Sequence, residues 1–236
     1  MYSMTTSSPL FGGRVGQRLV AVAALAAATG VGSTAAAGTI ALDNTAGGTA
    51  SLRGDMGSLT SSNWNLKVFT VGSSDATISS MAMGFYSTSV TNYDITWELY
   101  AVDGSNDPTG AALASDTQSQ SFTTSAAYYT FATGGDLASY SMQAGQTYGL
   151  LFKSNASGPV LSWTQTNAAS IYSPGSSGFS FVANRRSTNS GTSFSSASYY
   201  NAWQMETSAS SAVVPGPGVA GLAFIGLAGV AGRRRR

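Results

Sequence analysis

The side chains of this chain that could do chemistry are mainly carboxylates. The sequence contains neither histidine nor cysteine, which removes the commonest general base, the commonest metal ligand and any thiol nucleophile. Glu98, Glu206 and eight aspartates remain as potential acid–base pairs of the glycosidase kind. Asp94 and Glu98 would share one face of a strand, but four extended residues separate them by roughly 13 Å, more than an inverting glycosidase uses.

A serine nucleophile is no better supported. Without histidine, its base would have to be Lys67 or Lys153, and no motif accompanies either lysine. The sequence therefore favours a non-enzymatic protein that needs no cofactor, with a carboxylate-dependent hydrolase as the weakest alternative.

Asp103, Ser105 and Asp107 form the strongest candidate for a metal-binding loop. Oxygen ligands at alternate positions of a tight turn resemble the start of a calcium loop. An EF-hand would then need Gly at its sixth position and Glu at its twelfth, where this chain has Pro108 and Ala114. The sequence favours a hairpin turn in which aspartate bonds the local backbone. Calcium bound by Asp103 and Asp107 in another geometry is the alternative.

Aromatic side chains are the candidates for contacting a ligand. The tyrosines Tyr128, Tyr129, Tyr199 and Tyr200 form two adjacent pairs, and on a strand one ring of each pair must point outward. Aromatic rings can also stack on sugar rings, which raises the tryptophans as a platform. Most of them lie in phase with apolar neighbours, so core packing is favoured for the set Trp64, Trp97, Trp163 and Trp203.

Charge distribution excludes one class of partner. Residues 38–212 carry five basic and ten acidic residues, a net charge of −5. Nucleic-acid binding requires a basic face, so we exclude it. The basic pair Arg185 and Arg186 is interpreted as part of a solvated loop, with an acidic polysaccharide as its alternative ligand.

The elements that must position these residues are strands. Tyr93, Ile95, Trp97 and Leu99 alternate with polar residues, which is typical of a half-buried antiparallel strand. Similar patterns recur between turn-forming segments, in residues 64–68, 81–85, 128–131, 148–153, 160–163, 179–182 and 203–205. About eight short strands predict an all-β fold, an antiparallel, jelly-roll-like β-sandwich.

The N-terminus has the layout of a secretory signal peptide. Arg14 and Arg18 precede an uncharged apolar run over residues 19–31, and Ala35 and Ala37 form an A-x-A cleavage site before Gly38. The run is shorter than the roughly 20 residues of a membrane-spanning helix, so a signal peptide is favoured over a permanent anchor. It implies the Sec translocon and signal peptidase as partners.

The C-terminus combines a proline-containing segment, a short apolar segment and a run of arginines. Pro215, Gly216 and Pro217 precede residues 219–232, which contain no charge. As a helix this span measures about 21 Å, against roughly 30 Å of bilayer hydrocarbon. The chain then ends in four arginines that favour the cytoplasmic side, Arg233, Arg234, Arg235 and Arg236. An ordinary uncleaved tail anchor is the alternative to a transient one.

This tail resembles the PEP-CTERM sorting signal, which exosortase-type enzymes of Gram-negative bacteria process in the membrane. The family has Pro-Glu-Pro before its span, and this chain has Gly216 between Pro215 and Pro217. The resemblance implies transient anchoring in the inner membrane, then delivery to the outer surface or extracellular matrix.

A looser resemblance covers the middle of the chain. Trp97-Glu98-Leu99-Tyr100, the turn over residues 103–110 and residues 144–150 look like the "choice-of-anchor" β-domains, exported modules joined to different sorting tails. We thus expect a signal peptide at 1–37, a β-sandwich at 38–209, a linker at 210–218 and a short transmembrane helix with its arginine tail at 219–236. The predicted function is a structural or adhesive surface protein, with exopolysaccharide as a further partner and an extracellular carbohydrate-binding module as the alternative.

Overall fold

The computed structural model describes residues 38–45, 51–53, 57–166, 173–174, 178–198 and 200–209. These residues contain strands and no helix, in the order β1 (Thr39–Asp43), β2 (Leu52–Arg53), β3 (Trp64–Thr70), β4 (Ala76–Ser87), β5 (Thr91–Val102), β6 (Pro108–Phe122), β7 (Ala127–Ala132), β8 (Thr147–Ser154), β9 (Leu161–Trp163), β10 (Gln165–Thr166), β11 (Ser173–Pro174), β12 (Ser180–Ser187), β13 (Ser195–Ser196) and β14 (Trp203–Ala209). The predicted signal peptide, linker and transmembrane helix lie outside them. In the described ranges no helix is long and apolar enough to cross a bilayer.

The strands form two six-stranded antiparallel sheets and a two-stranded ribbon of β10 and β2. Sheet I has the order β11-β1-β14-β4-β7, with β9 also paired to β4. Sheet II has the order β13-β12-β3-β8-β5-β6. The predicted all-β antiparallel sandwich is confirmed.

Aromatic side chains from both sheets pack together in the core. Phe152 of sheet II lies 4.6 Å from Trp163 and 5.7 Å from Trp203 of sheet I, measured between ring centroids. Trp97 of sheet II meets Phe131 of sheet I edge-on at 5.0 Å. Such pairs add about 0.5–1.5 kcal/mol each beyond the area that they bury. Core packing of these three tryptophans was predicted correctly, since each of them is fully buried.

Strand β3 does not place Trp64 in this core, so the prediction of core packing was wrong for that residue. Its alternating apolar residues Trp64, Leu66 and Val68 form a separate cluster on the outer face of sheet II. The face towards sheet I carries Lys67 and Phe69, both fully buried. Because residues 66–69 are buried on both faces, alternation could locate the strand but could not assign its inward side.

The longest described strand, β6, was not predicted. It is the last strand of sheet II in the described order, and most of its residues are exposed or half-buried. Its sequence is rich in Ser, Thr, Gln and Ala and lacks the apolar alternation used to find the other strands. A hydrogen-bonded register with β5, from Thr91 opposite Phe122 to Val102 opposite Pro108, holds it in place.

The packing predicts that Gly84 in β4 tolerates no side chain. A Cβ at this position would lie 2.6 Å from Thr164 Oγ1, 2.7 Å from Leu52 Cδ2 and 2.8 Å from Ala202 Cβ. We expect Gly84→Ala to lower the free energy of unfolding by about 1–3 kcal/mol through overpacking, as measured by urea denaturation. The matched control is Gly104→Ala, where a Cβ meets nothing within 4 Å, and equal losses in the two variants would contradict this packing.

Candidate functional site

Two groups of polar and aromatic side chains stand out, and β3 contributes to both. The first surrounds Lys67, which is fully buried between the sheets. Its Nζ donates hydrogen bonds to Asn184 Oδ1 at 2.6 Å and Asn201 Oδ1 at 2.7 Å. It also lies 4.8 Å from the centroid of the Trp163 ring. Burial lowers the pKa of Lys67 well below its usual value, because the charged form loses its hydration.

The fold holds both asparagines in place beside Lys67. Asn184 lies on β12 directly opposite Lys67 of β3. Asn201 Nδ2 donates to the backbone carbonyl of Trp163 at 3.2 Å. The backbone carbonyl of Asn201 accepts from Asn44 Nδ2 at 2.8 Å. The lysine amine is therefore held against two amide groups in a site closed to solvent.

The second group is a groove on the outer face of sheet II. A cavity of about 170 Å³ is lined by aromatic and apolar residues that include Trp64, Tyr100, Leu151 and Phe194. Leu151 is buried, and the three rings are half-buried. The groove thus offers partly exposed aromatic surface at the boundary with solvent.

Charged groups border this groove. Lys153 Nζ lies 2.6 Å from Glu98 Oε1 and 4.9 Å from the centroid of the Trp64 ring. The Tyr100 hydroxyl donates to Glu98 Oε2 at 3.0 Å. Burial, and secondarily the Glu98 charge, raises the pKa of Tyr100 to about 12. The Tyr100 hydroxyl is thus neutral at physiological pH, and Glu98 is bonded by both Lys153 and Tyr100.

An ion pair joins the two segments that contribute Pro108 and Phe194 to the groove. Arg185 donates from Nε at 3.0 Å and from Nη2 at 2.5 Å to Asp107 Oδ1. Arg185 Nη2 also donates to the Phe194 carbonyl at 3.2 Å, which ties the segment before β13 to the β5–β6 turn. The interpretation of Arg185 and Arg186 as a solvated loop was wrong, because both lie within β12.

The predicted calcium candidates are used inside the hairpin turn. Asp103 Oδ1 accepts from the Ser105 and Asp107 backbone amides at 2.8 and 3.0 Å. Asn106 takes the left-handed conformation, with φ of 65°. The favoured interpretation, a turn built on local aspartate bonds, agrees with this geometry. Within the described ranges, no three acidic side chains lie close enough together to hold a metal ion.

The tyrosines predicted to contact a ligand differ in their neighbours. Tyr129 packs on Phe122 at 4.8 Å, and its hydroxyl accepts from the Thr123 amide at 2.9 Å. Tyr128 is half-buried, and burial together with the Asp43 charge raises its pKa to about 12. Tyr200 packs edge-on against Phe181 at 6.0 Å. Tyr199 lies outside the described residues, as do Ala35, Ala37 and the sorting residues Pro215, Gly216, Pro217, Arg233, Arg234, Arg235 and Arg236.

The carboxylates considered for catalysis have separate structural partners. Asp94 Oδ2 accepts from Asn155 Nδ2 at 2.9 Å, and Glu206 Oε2 accepts from the Ser80 hydroxyl at 2.7 Å. Glu98 bonds Lys153 and Tyr100, as described above. Each carboxylate therefore helps to hold neighbouring segments together.

Neither group was predicted from the sequence, although one signal was present. Val68 and Phe69 are consecutive apolar residues within the alternating segment of β3. Such a pair indicates a strand covered on both faces. It could have suggested that Lys67 points inward with Phe69, and that Trp64 points outward with Leu66.

Comparison of the sequence with protein-family models and with curated proteins, and of the fold with solved structures, finds no match.

We predict that calcium does not stabilise this domain through its hairpin turn. Asp103 Oδ1 already accepts two backbone amides and Asp107 Oδ1 accepts two guanidinium bonds, so a cation would have to displace internal donors. The midpoint of thermal unfolding, followed by circular dichroism, should be the same in excess calcium and in chelator. A calcium-dependent rise that disappears in Asp103→Asn would contradict this.

Proposed function

We propose that this chain is an exported, exosortase-sorted surface or extracellular-matrix protein of a Gram-negative bacterium, whose β-sandwich has a non-enzymatic structural or adhesive role. The observation that carries the adhesive part is a hydroxyl-rich face on sheet II. The outward residues of β6 are all exposed, namely Ser115, Thr117, Ser119 and Ser121. Thr117 is hydrogen-bonded to Thr96 of β5 at 2.9 Å.

The chemistry of this hydroxyl face suits contact with a hydrated polymer. Serine and threonine hydroxyls both donate and accept hydrogen bonds, as do the hydroxyls of a polysaccharide. The register of β5 against β6 places Asn92 opposite Ser121 and Asp94 opposite Ser119. Polar groups are therefore spaced regularly over two long strands, which favours many weak contacts over one enclosed ligand site.

A carbohydrate-binding module is the second candidate, and the groove at Trp64 is the observation that favours it. Trp64 and Tyr100 offer partly exposed rings, with Glu98 and Lys153 at their edge. Apolar surface joined to a few polar groups is the usual composition of a ligand site. In this alternative the ligand lies in the groove, and the hydroxyl face is only solvated surface.

We also infer a jelly-roll connectivity for the sandwich. The orders β1-β14-β4-β7 and β3-β8-β5-β6 support it, because the chain passes between the two sheets as in a double Greek key. In this scheme β12 is an additional strand beside β3.

The sorting proposal predicts loss of the C-terminal tail. A transient span would hold the protein until the processing enzyme cuts near Pro215, so an epitope added after Arg236 should be absent from the mature surface protein. Immunoblots of cell fractions, probed for this epitope and for a second one within the domain, measure the outcome. If the C-terminal epitope is still present on the protein of the surface fraction, the tail is a permanent anchor and the sorting proposal is wrong.

The adhesive proposal predicts that the hydroxyl face carries binding to matrix polysaccharide. A carboxylate at its centre, in Ser119→Glu, should remove hydroxyl contacts and lower retention of the purified domain on extracted exopolysaccharide several-fold in a sedimentation assay. Ser125→Glu, at an exposed position of the turn before β7, is the matched control.

The same assay separates the two candidate functions. If Trp64→Ala lowers retention on the polysaccharide and Ser119→Glu does not, the polysaccharide binds in the groove and not on the hydroxyl face. Loss in Tyr128→Ala alone would instead support the ligand contact predicted from the sequence. Retention by none of the domains, wild type included, would contradict both polysaccharide-binding proposals.

A further inference from the structure

The amine of Lys67 and the amide of Asn184 are placed as two groups that could react. Nζ lies 2.6 Å from Asn184 Oδ1. With a C=O bond of about 1.23 Å and a contact angle of at least 90°, the distance from Nζ to Cγ is about 2.9–3.8 Å. Reacting atoms in a near-attack arrangement lie about 3–3.5 Å apart. The range of Nζ–Cγ distances that this hydrogen bond allows therefore includes the spacing of a nucleophile and its carbonyl.

We propose that Lys67 and Asn184 form an intramolecular isopeptide bond that joins β3 to β12. The Nζ lone pair attacks Cγ of Asn184, the Nζ–Cγ bond forms and the Cγ–Nδ2 bond breaks. One proton of Nζ passes to the departing nitrogen, which leaves as ammonia. The product is a secondary amide, and no oxidant, reductant or metal enters the balance.

The surroundings of Lys67 favour this reaction. Desolvation favours the neutral form of a lysine, and only the neutral amine has a lone pair for attack. Lys67 is fully buried beside the Trp163 ring. Antiparallel pairing of β3 with β12 places Asn184 directly opposite Lys67, so the fold supplies the proximity that a bimolecular reaction would lack.

The structure assigns Asn184 as the acceptor and Asn201 as a positioning residue. Asn201 Oδ1 accepts from the same amine at 2.7 Å, so both amides face the nucleophile. The Asn201 Nδ2, however, donates to the Trp163 carbonyl at 3.2 Å. Asn184 is assigned as the acceptor because the pairing of β12 with β3 fixes it directly opposite Lys67, whereas Asn201 lies outside the strands.

Such a bond would serve the domain as a covalent staple. The chain has no cysteine, so a disulfide cannot cross-link it. An amide between residues 67 and 184 would close most of the sandwich into one loop and reduce the freedom of the unfolded chain. This role does not depend on whether the domain binds polysaccharide.

The decisive experiment is a tryptic map of the purified wild-type protein by mass spectrometry. Trypsin cannot cleave after an acylated lysine, so the segment 54–153 should stay uncut at Lys67. It should appear joined to the segment 154–185, with a total mass lower by one ammonia. Complete cleavage after Lys67, with both segments at their unmodified masses, would overturn the proposal. A link to the segment that begins at Ser187 would mean that Asn201 is the acceptor, which overturns the assignment.

A variant identifies the origin of any lost ammonia. Lys67→Met keeps the length of the side chain but removes the nucleophile, so its intact mass should show no loss of ammonia. Asn189→Ala, in the exposed segment after β12, is the control that should retain the loss. Ammonia still lost from Lys67→Met would point to cyclisation of an asparagine elsewhere, which contradicts the proposal. The wild-type map decides the question even if Lys67→Met does not fold.

A second measurement uses pH. A free buried lysine with a lowered pKa binds fewer protons in the folded protein than in the unfolded chain. The free energy of unfolding would therefore rise with pH up to about 10.4, the pKa of lysine in the unfolded chain. An amide does not titrate. The unfolding free energies of wild type and Lys67→Met should therefore run parallel between neutral pH and about pH 10. If the free energy of unfolding of the wild type rises with pH relative to that of Lys67→Met, the amine of Lys67 is free and the proposal is wrong.

Discussion

The structure depends on one constraint, that side chains from two facing sheets must fill the space between them. Aromatic rings meet this constraint, because one ring covers the area of several aliphatic groups. Phe152 of sheet II contacts both Trp163 and Trp203 of sheet I. The exposed face of β6, by contrast, carries Ser and Thr hydroxyls.

The same constraint has an unusual consequence at β3. This strand is buried on both faces, and its inward face carries Lys67 beside Phe69. Lys67 and its asparagine partners occupy that side, where a buried polar group is tolerated only with hydrogen bonds to satisfy it. Its residues Trp64, Leu66 and Val68 lie on the outer face, where they pack with Leu151 of the groove. Both candidate sites therefore result from the position of β3 in the interior of sheet II.

The two ends of the chain and the domain between them support different parts of the proposed role. The apolar runs and arginines of the termini support export and sorting, since length and charge decide how a segment meets a membrane. The domain supports attachment or scaffolding, since its hydroxyl face is broad and its carboxylates hold neighbouring strands. An isopeptide staple would suit such a role, because a protein outside the cell has to keep its fold without repair.

The sequence by itself determined the fold class and most strand positions, because a half-buried strand has a period of two that can be read directly, as in Tyr93, Ile95, Trp97 and Leu99 of β5. It also determined the turn at Asp103, whose bonds are local. Only the tertiary structure decided that Lys67 points inward and Trp64 outward, since the inward face of a strand depends on which strands cover it. It alone also brought Lys67 beside Asn184, 117 residues further along the chain, because such pairing depends on strand order, which local patterns do not encode.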